Sequence, residues 1–252
     1  MDAVIEWPVA ERVRTVLARG ASGTVEAGLL RRPLRSARVR DDGVVVLVVD
    51  AGGPGHDARG ADTEAFPVGL SVSVEVVDTV CTGRCRRTGV RPSFDLGGGA
   101  ARGGAACGDG CAVARGVVSI AGIITAGSPA RRRSALRLHQ LRPLEVGYLS
   151  AAGAHAVPAA ELSASAVDPI GVDEQEWLRR LGADPGLAHR LAAGAGHPAP
   201  EPEPRIVGLD CRGLDLEVGP SDAVFRDLVR IGFAQVCRAA EDVRRELAAL
   251  SV

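Results

Sequence analysis

Along the first fifty residues the apolar side chains change their spacing from helical to alternating. Val9, Val13, Val16 and Leu17 recur at helical intervals between Pro8 and Gly20, predicting a short amphipathic helix with proline at its start and glycine at its stop. Residues 24–30 and 34–40 read as strands. Asp41-Asp42-Gly43 then turns the chain into 44–49, a run apolar enough for burial on both faces. Further on, Leu70, Val72, Val74 and Val76 alternate with Ser71, Ser73 and Glu75, as a strand with one wet face should. Residues 116–126 and 144–149 return to strand character, and 129–141 between them reads as a basic helix.

The C-terminal third has its own rhythm. Helices are predicted at 173–181 and 185–193, followed by a stiff, extended linker at 197–204 in which every second residue is proline. Strands are expected at 206–210, 214–218 and 228–233. A closing helix carries Ala240, Val243, Leu247 and Leu250 on one stripe. These elements describe an α+β chain, a β-rich body followed by a small C-terminal α/β domain, with no internal repeat.

Composition changes this picture in two places. The core must be built from Val, Leu, Ile and Ala, because 252 residues include only four phenylalanines, two tryptophans and one tyrosine. All 30 basic residues are arginine, and lysine and asparagine are absent. Schiff-base chemistry, a phosphate-loop lysine and a lysine-bound pyridoxal cofactor are thereby excluded. A formal net charge of −1 gives no overall field for nucleic acid or an anionic membrane. Residues 1–6 lack the basic and apolar regions of a secretion signal, and no apolar run approaches the roughly 20 residues that cross a bilayer. A cytoplasmic location is expected, in which the six cysteines are thiols or metal ligands rather than disulfides.

Four of those cysteines lie in a segment rich in glycine and arginine with little periodicity, read as an insertion over 81–113. Cys81-x3-Cys85 and Cys107-x3-Cys111 form two short claws of the kind a tetrahedral zinc site needs; the alternative is incidental thiols in a disordered insertion. Cys211 and Cys237 fall near strand or helix ends and read as small core residues. Arginines gather at Arg31, Arg32, Arg35, Arg38 and Arg40, and alternation puts Ser36, Arg38 and Arg40 on one strand face. Such a face either converges on a phosphate or is simply solvated. Arg131, Arg132, Arg133 and Arg137 read as an exposed helix surface without the aromatic platforms that nucleic-acid binding would want. The five histidines, His56, His139, His155, His189 and His197, show no metal-pair spacing, and no residue nominates itself as a general acid or base.

The order of segments resembles a known family. Pro8-Val9-Ala10-Glu11-Arg12-Val13-Arg14-Thr15-Val16-Leu17 with Ala21-Ser22-Gly23-Thr24-Val25 is similar to the opening of the flavin-binding split-barrel superfamily, relatives of pyridoxamine-phosphate oxidase and the haem-utilisation proteins. Leu144-Glu145-Val146-Gly147, Pro158-Ala159-Ala160-Glu161-Leu162 and Val167-Asp168-Pro169 look like its last barrel strands and exit. The stretches 207–216 and 229–233 resemble the small C-terminal domain of the haem-utilisation type. The resemblance implies a six-stranded split barrel over 1–170 and a haem-utilisation-type domain over 171–252. It further implies a homodimer with ligands in clefts along its interface: FMN, deazaflavin, haem or none. On that reading Arg35, Ser36 and Arg38 would hold a cofactor phosphate, and His155, near a strand end, would reach a cleft and ligate haem iron.

One departure stands out. The family's C-terminal domain opens with a His-x-Asn-x-Asp-His helix. Here Trp177 to Pro185 keeps only Asp184, with Arg180 and Pro185 at the histidine positions and Gly182 at the asparagine. Two functions are therefore carried forward. The first is a barrel binding a small planar cofactor or haem, an oxidoreductase or haem-handling protein. The second is a non-catalytic interaction or regulatory protein with structural zinc on Cys81, Cys85, Cys107 and Cys111.

Overall fold

The computed structural model describes residues 8–20, 23–50, 66–81, 112–127, 136–150, 153–197, 203–218 and 227–250. Helix α1 (Val9–Ala18) precedes strands β1 (Gly23–Ala27), β2 (Leu30–Val39), β3 (Val45–Asp50), β4 (Ser71–Cys81), β5 (Ala112–Gly127) and β6 (Leu136–Ser150). These six strands pair antiparallel in the order β3-β2-β1-β4-β5-β6, and the first half of β6 pairs back onto β3 to close a barrel. The second half of β6 turns into a hairpin with β7 (Gly153–Ala156), which adds an edge strand outside the closure. The chain then forms α2 (Ala159–Ala164), a single 3-10 turn, Gly171–Asp173, and helices α3 (Glu174–Leu181) and α4 (Pro185–Gly194). A three-stranded antiparallel sheet of β8 (Arg205–Asp210), β9 (Gly213–Val218) and β10 (Asp227–Gly232) follows, in the order β10-β9-β8, and α5 (Ala240–Leu250) ends it. Among the described residues no helix is long and apolar enough to cross a membrane.

Side-chain alternation explains the barrel. In β4, Val72, Val74 and Val76 point inward while Ser71, Ser73 and Glu75 are exposed. Val45, Leu47 and Val49 of β3 and Val118, Ile120 and Ile124 of β5 meet them in the core. Val13, Val16 and Leu17 of α1 complete it, all essentially without exposure. The other apolar cluster packs one face of the three-stranded sheet, through Leu209, Leu214 and Leu216, against α3, α4 and α5.

One predicted element is replaced. Residues 136–141 belong to β6 rather than to a basic helix, and 128–135 lie outside the described residues. His139 and Leu141 are buried while Leu136 and Leu138 face out, and 136–141 pair with 45–50 across the barrel seam. Leu138 and Leu141 are spaced as on a helix face, and it is pairing with the edge of β3 that makes the stretch a strand, with Leu136 and Leu138 facing out. Arg137 is accordingly a strand residue. The linker centre at 198–202 and most of the cysteine-rich insertion also lie outside the described residues.

The two apolar cores are joined by a buried ionic cluster. Asp78 continues the inward phase of β4 and is completely buried. It accepts hydrogen bonds from Arg12 at 2.9 and 2.5 Å, from Arg19, from Arg115 at 3.1 Å and from the Tyr148 hydroxyl at 2.9 Å. Glu174, the first residue of α3, is equally buried. It accepts from Arg115 at 2.5 and 2.6 Å, from Arg19, and from the Leu209 backbone N–H of β8 at 2.7 Å. A β-bulge delivers Arg115: Asp78 pairs with Gly116 and Thr79 with Ala114, which leaves Arg115 as the extra residue and re-aims its side chain. Burial by itself would raise both carboxyl pKa values, but the guanidiniums of Arg115, Arg12 and Arg19 outweigh it and hold Asp78 and Glu174 below the usual range. A neighbouring seam supports the same junction. Asp168 accepts from the N–H groups of Ile170 at 2.7 Å and Cys211 at 2.9 Å, and its own N–H donates to the Thr15 hydroxyl at 3.0 Å.

Glu174→Gln removes one of two carboxylates facing three guanidiniums. Denaturant melts are expected to show a loss of about 3–5 kcal/mol, the range for breaking a buried ion pair, and adding Arg115→Gln should restore part of it. A second expectation concerns His139, buried in the barrel wall edge-on to Phe66 with ring centroids 5.4 Å apart and its Nδ1 without a hydrogen-bond partner. Burial lowers its pKa, so the unfolded chain takes up its proton first. Stability from this group is complete above about pH 6.5 and declines as pH falls below it. His139→Phe is expected to flatten the dependence between pH 7 and 5.

Candidate functional site

The β6–β7 hairpin borders two open concavities. Gly147 pairs with Ala156, Tyr148 with His155 and Leu149 with Ala154, and among the described residues no strand pairs with the far side of β7. On the outer face, Ser119 of β5 lies opposite Gly147, and Ser73 of β4 opposite Ala121. A side chain at Gly147 would bring its Cβ to 2.9 Å from the Ser119 Oγ. These small residues leave a groove of about 800 Å³, and Leu144 and Leu149 stand at its margin with 60% and 56% exposure. A second groove of about 640 Å³ lies between β7 and the helices, lined by Pro8, Val9, Ala10, Glu161 and Ser165. Ala154, His155, Ala156 and Val157 line both.

His155 thus stands exposed on a free edge strand between two concavities. Its ladder partner Tyr148 also lines the larger groove, and its hydroxyl is pinned to Asp78. Burial and the charge of Asp78 push this phenol up to about 12, so it stays a protonated donor. The bond needs a glycine at 116, where an added Cβ would lie 2.7 Å from the phenol oxygen. The groove wall is therefore tied through Tyr148 to the ionic cluster, a link that no motif in the sequence announces. Asp78 itself was discernible as a charge on the apolar phase of β4.

The other expected site residues are placed elsewhere. Ser36 and Arg38 face outward on β2, and Arg35 is the bulge residue between the pairs Leu34–Val49 and Ser36–Val48. Arg35 forms an ion pair with Asp50 at 2.5 Å, and none of the three lines either groove. Cys85, Cys107 and Cys111 lie outside the described residues. Cys81 ends β4 directly opposite Ala112, so the chain leaves and re-enters the barrel at one rung of the ladder. Asp184, retained from the family's histidine-rich pattern, caps α4 by accepting from the Gly186 N–H at 3.0 Å and pairs with Arg190 at 2.8 Å. One further donor set exists among the described residues, Glu11, Asp168 and Cys211, whose donor atoms lie within 4.8 Å of one another. Both Asp168 oxygens already accept backbone N–H bonds and the Cys211 thiol donates to Glu11, so this set is satisfied internally.

Fold and grooves together define the class: an α+β protein whose body is a closed six-stranded antiparallel barrel bearing a free-edge hairpin. No protein-family model matches the chain, and no curated protein matches it. Among solved structures it is similar to a haem-binding protein from Mycobacterium smegmatis, with a TM-score of 0.54 and 17% identity over 98% of each chain. At that identity the likeness is one of fold.

Tyr148→Phe is expected to cost about 1.5–3 kcal/mol, the price of a buried hydrogen bond to a charged group. His155→Ala, on an exposed edge, is expected to stay within about 0.5 kcal/mol. Chemical denaturation of the two variants checks the contrast.

Proposed function

We propose that this protein binds a planar tetrapyrrole, haem in the first instance, at the β7 edge that the two grooves share, with His155 as the ligand to iron. The observation that carries the reading is the position of His155, exposed on a free edge between two concavities floored by small and apolar side chains. A volume of about 800 Å³ is in the range of cofactor sites. Leu144 and Leu149 offer apolar surface to a macrocycle, and the neutral imidazole is a common axial ligand. The fold shared with a haem-binding protein supports the choice. Haem would supply the redox or oxygen chemistry, while the chain's own residues would bind and orient it.

FMN fits less well, because no arginine is among the described residues lining either groove and the phosphate would find no cation there. The outer face of β4, β5, β6 and β7, with Leu144 and Leu149 exposed beside the groove, suits pairing with a second copy. On this reading the protein is a homodimer with the groove at or near the interface.

The second reading, a non-catalytic interaction protein with zinc on Cys81, Cys85, Cys107 and Cys111, is favoured by the single ladder rung at which Cys81 faces Ala112. Zinc at one ion per chain in protein from zinc-replete cells would support it.

Titration with ferric haemin, followed by the Soret band, tests the first reading. Saturable binding is expected, weakened at least tenfold in His155→Ala and unchanged in Arg38→Ala. Absence of saturable binding, or equal affinity in His155→Ala, would overturn it.

A further inference from the structure

We infer that Cys211 and Cys237 form a disulfide when the protein is oxidised, stapling the turn between β8 and β9 to the segment that leads into α5. The inference is independent of the haem reading. After β10 the chain runs back alongside this turn. The Phe233 N–H donates to the Arg212 carbonyl at 2.8 Å, and the Cys237 N–H donates to the Cys211 carbonyl at 2.7 Å. That second bond limits the separation of the two residues. With standard backbone bond lengths their Cα atoms lie no more than about 6.5 Å apart, within the range of about 4.4–6.8 Å that disulfides span.

Both cysteines are free thiols and both belong to the apolar cluster of the C-terminal sheet. Their present sulfur contacts are weak and replaceable. The Cys211 thiol donates to Glu11 Oε1 at 3.6 Å, and the Cys237 thiol to the Gln235 carbonyl at 3.8 Å. Rotation about each Cα–Cβ bond gives up these two hydrogen bonds and repacks both sulfurs within the apolar cluster.

The reaction is an ordinary exchange with a small disulfide as oxidant. One thiolate attacks oxidised glutathione and expels a glutathione thiolate. The second attacks the resulting mixed disulfide and expels the other, so two protons and two electrons leave the protein and two glutathione thiols are made. Burial raises both thiol pKa values, that of Cys237 to about 11, so the pair is unreactive while the segment is seated. Exchange proceeds through brief opening of residues 234–239, which form neither helix nor strand and expose Ala234, Gln235, Val236, Arg238 and Ala239. Once formed, the bond draws the Cys211 thiol away from Glu11 in α1. The oxidation state is then felt at the junction of the barrel with the C-terminal sheet.

The test uses the full-length protein under native conditions with excess oxidised glutathione, followed by alkylation and cleavage after arginine. The two cysteines fall in separate short peptides, 206–212 and 231–238. The expected product is one disulfide-linked species joining these peptides, lighter than their sum by two hydrogens and separated again by reduction. In guanidinium the same oxidant should scatter this link among the six cysteines. Recovery of both peptides alkylated after native oxidation would overturn the inference. So would their recovery singly glutathionylated, or linked to other cysteines.

Discussion

A carboxylate placed where a barrel expects valine organises much of this molecule. Asp78 occupies the inward phase of β4 and cannot remain ionised in a dry core without compensation. Arg12 from α1, Arg19 just past its end, Arg115 from the bulge in β5 and Tyr148 from β6 converge on it, and Glu174 balances two of those guanidiniums from the other side. The cluster therefore fixes how α1 closes the barrel, why β5 bulges at Arg115, where α3 begins and where β8 docks. Its members are individually costly to bury and compensate one another's charge, with the buried Arg115 Nε left without a hydrogen-bond partner, so the whole constellation must assemble together.

The same constraint reaches the grooves. Tyr148 cannot shift while its hydroxyl serves Asp78, so the wall formed by β6 is held on a rigid element, the arrangement a binding site needs. His155, its ladder partner, carries no such duty and faces solvent. A rigid wall with a free imidazole on its rim distinguishes this edge of the barrel from the arginine-bearing face of β2, where Arg35 is engaged with Asp50. On the opposite side of the cluster, Asp168 and Cys211 tie α1 to the turn between β8 and β9. The proposed disulfide would act on that tie.

Much of the fold was legible because local spacing and burial agree. Alternation in β4, the amphipathic stripe of α1, and the three short strands and closing helix of the C-terminal part all read directly. Residues 136–141 did not, since Leu138 and Leu141 are spaced as on a helix and only pairing with β3 makes the stretch a strand. Nor did the cluster. Arg12 on α1 and Arg19 just past its end lie about two turns apart and look like a solvated face; Arg115 looks outward by count until the bulge at 115 shifts the phase.

What the sequence by itself determined is therefore the set of elements and the kind of core: aliphatic side chains at period two or 3.6, with no lysine chemistry available. Which polar residues are buried, and which small residues line up into a groove, was decided only by the tertiary structure. Asp78 and Glu174 are separated by 96 positions, and Ser73 and Ala156 by 83. Charge pairing and concavity depend on distances across strands and between sheets, and spacing along a chain does not encode those distances. His155 was recognisable as a candidate from its type and its place near a strand end that the family resemblance implied; its exposure on the edge strand, beside a phenol locked to a buried carboxylate, required the folded barrel.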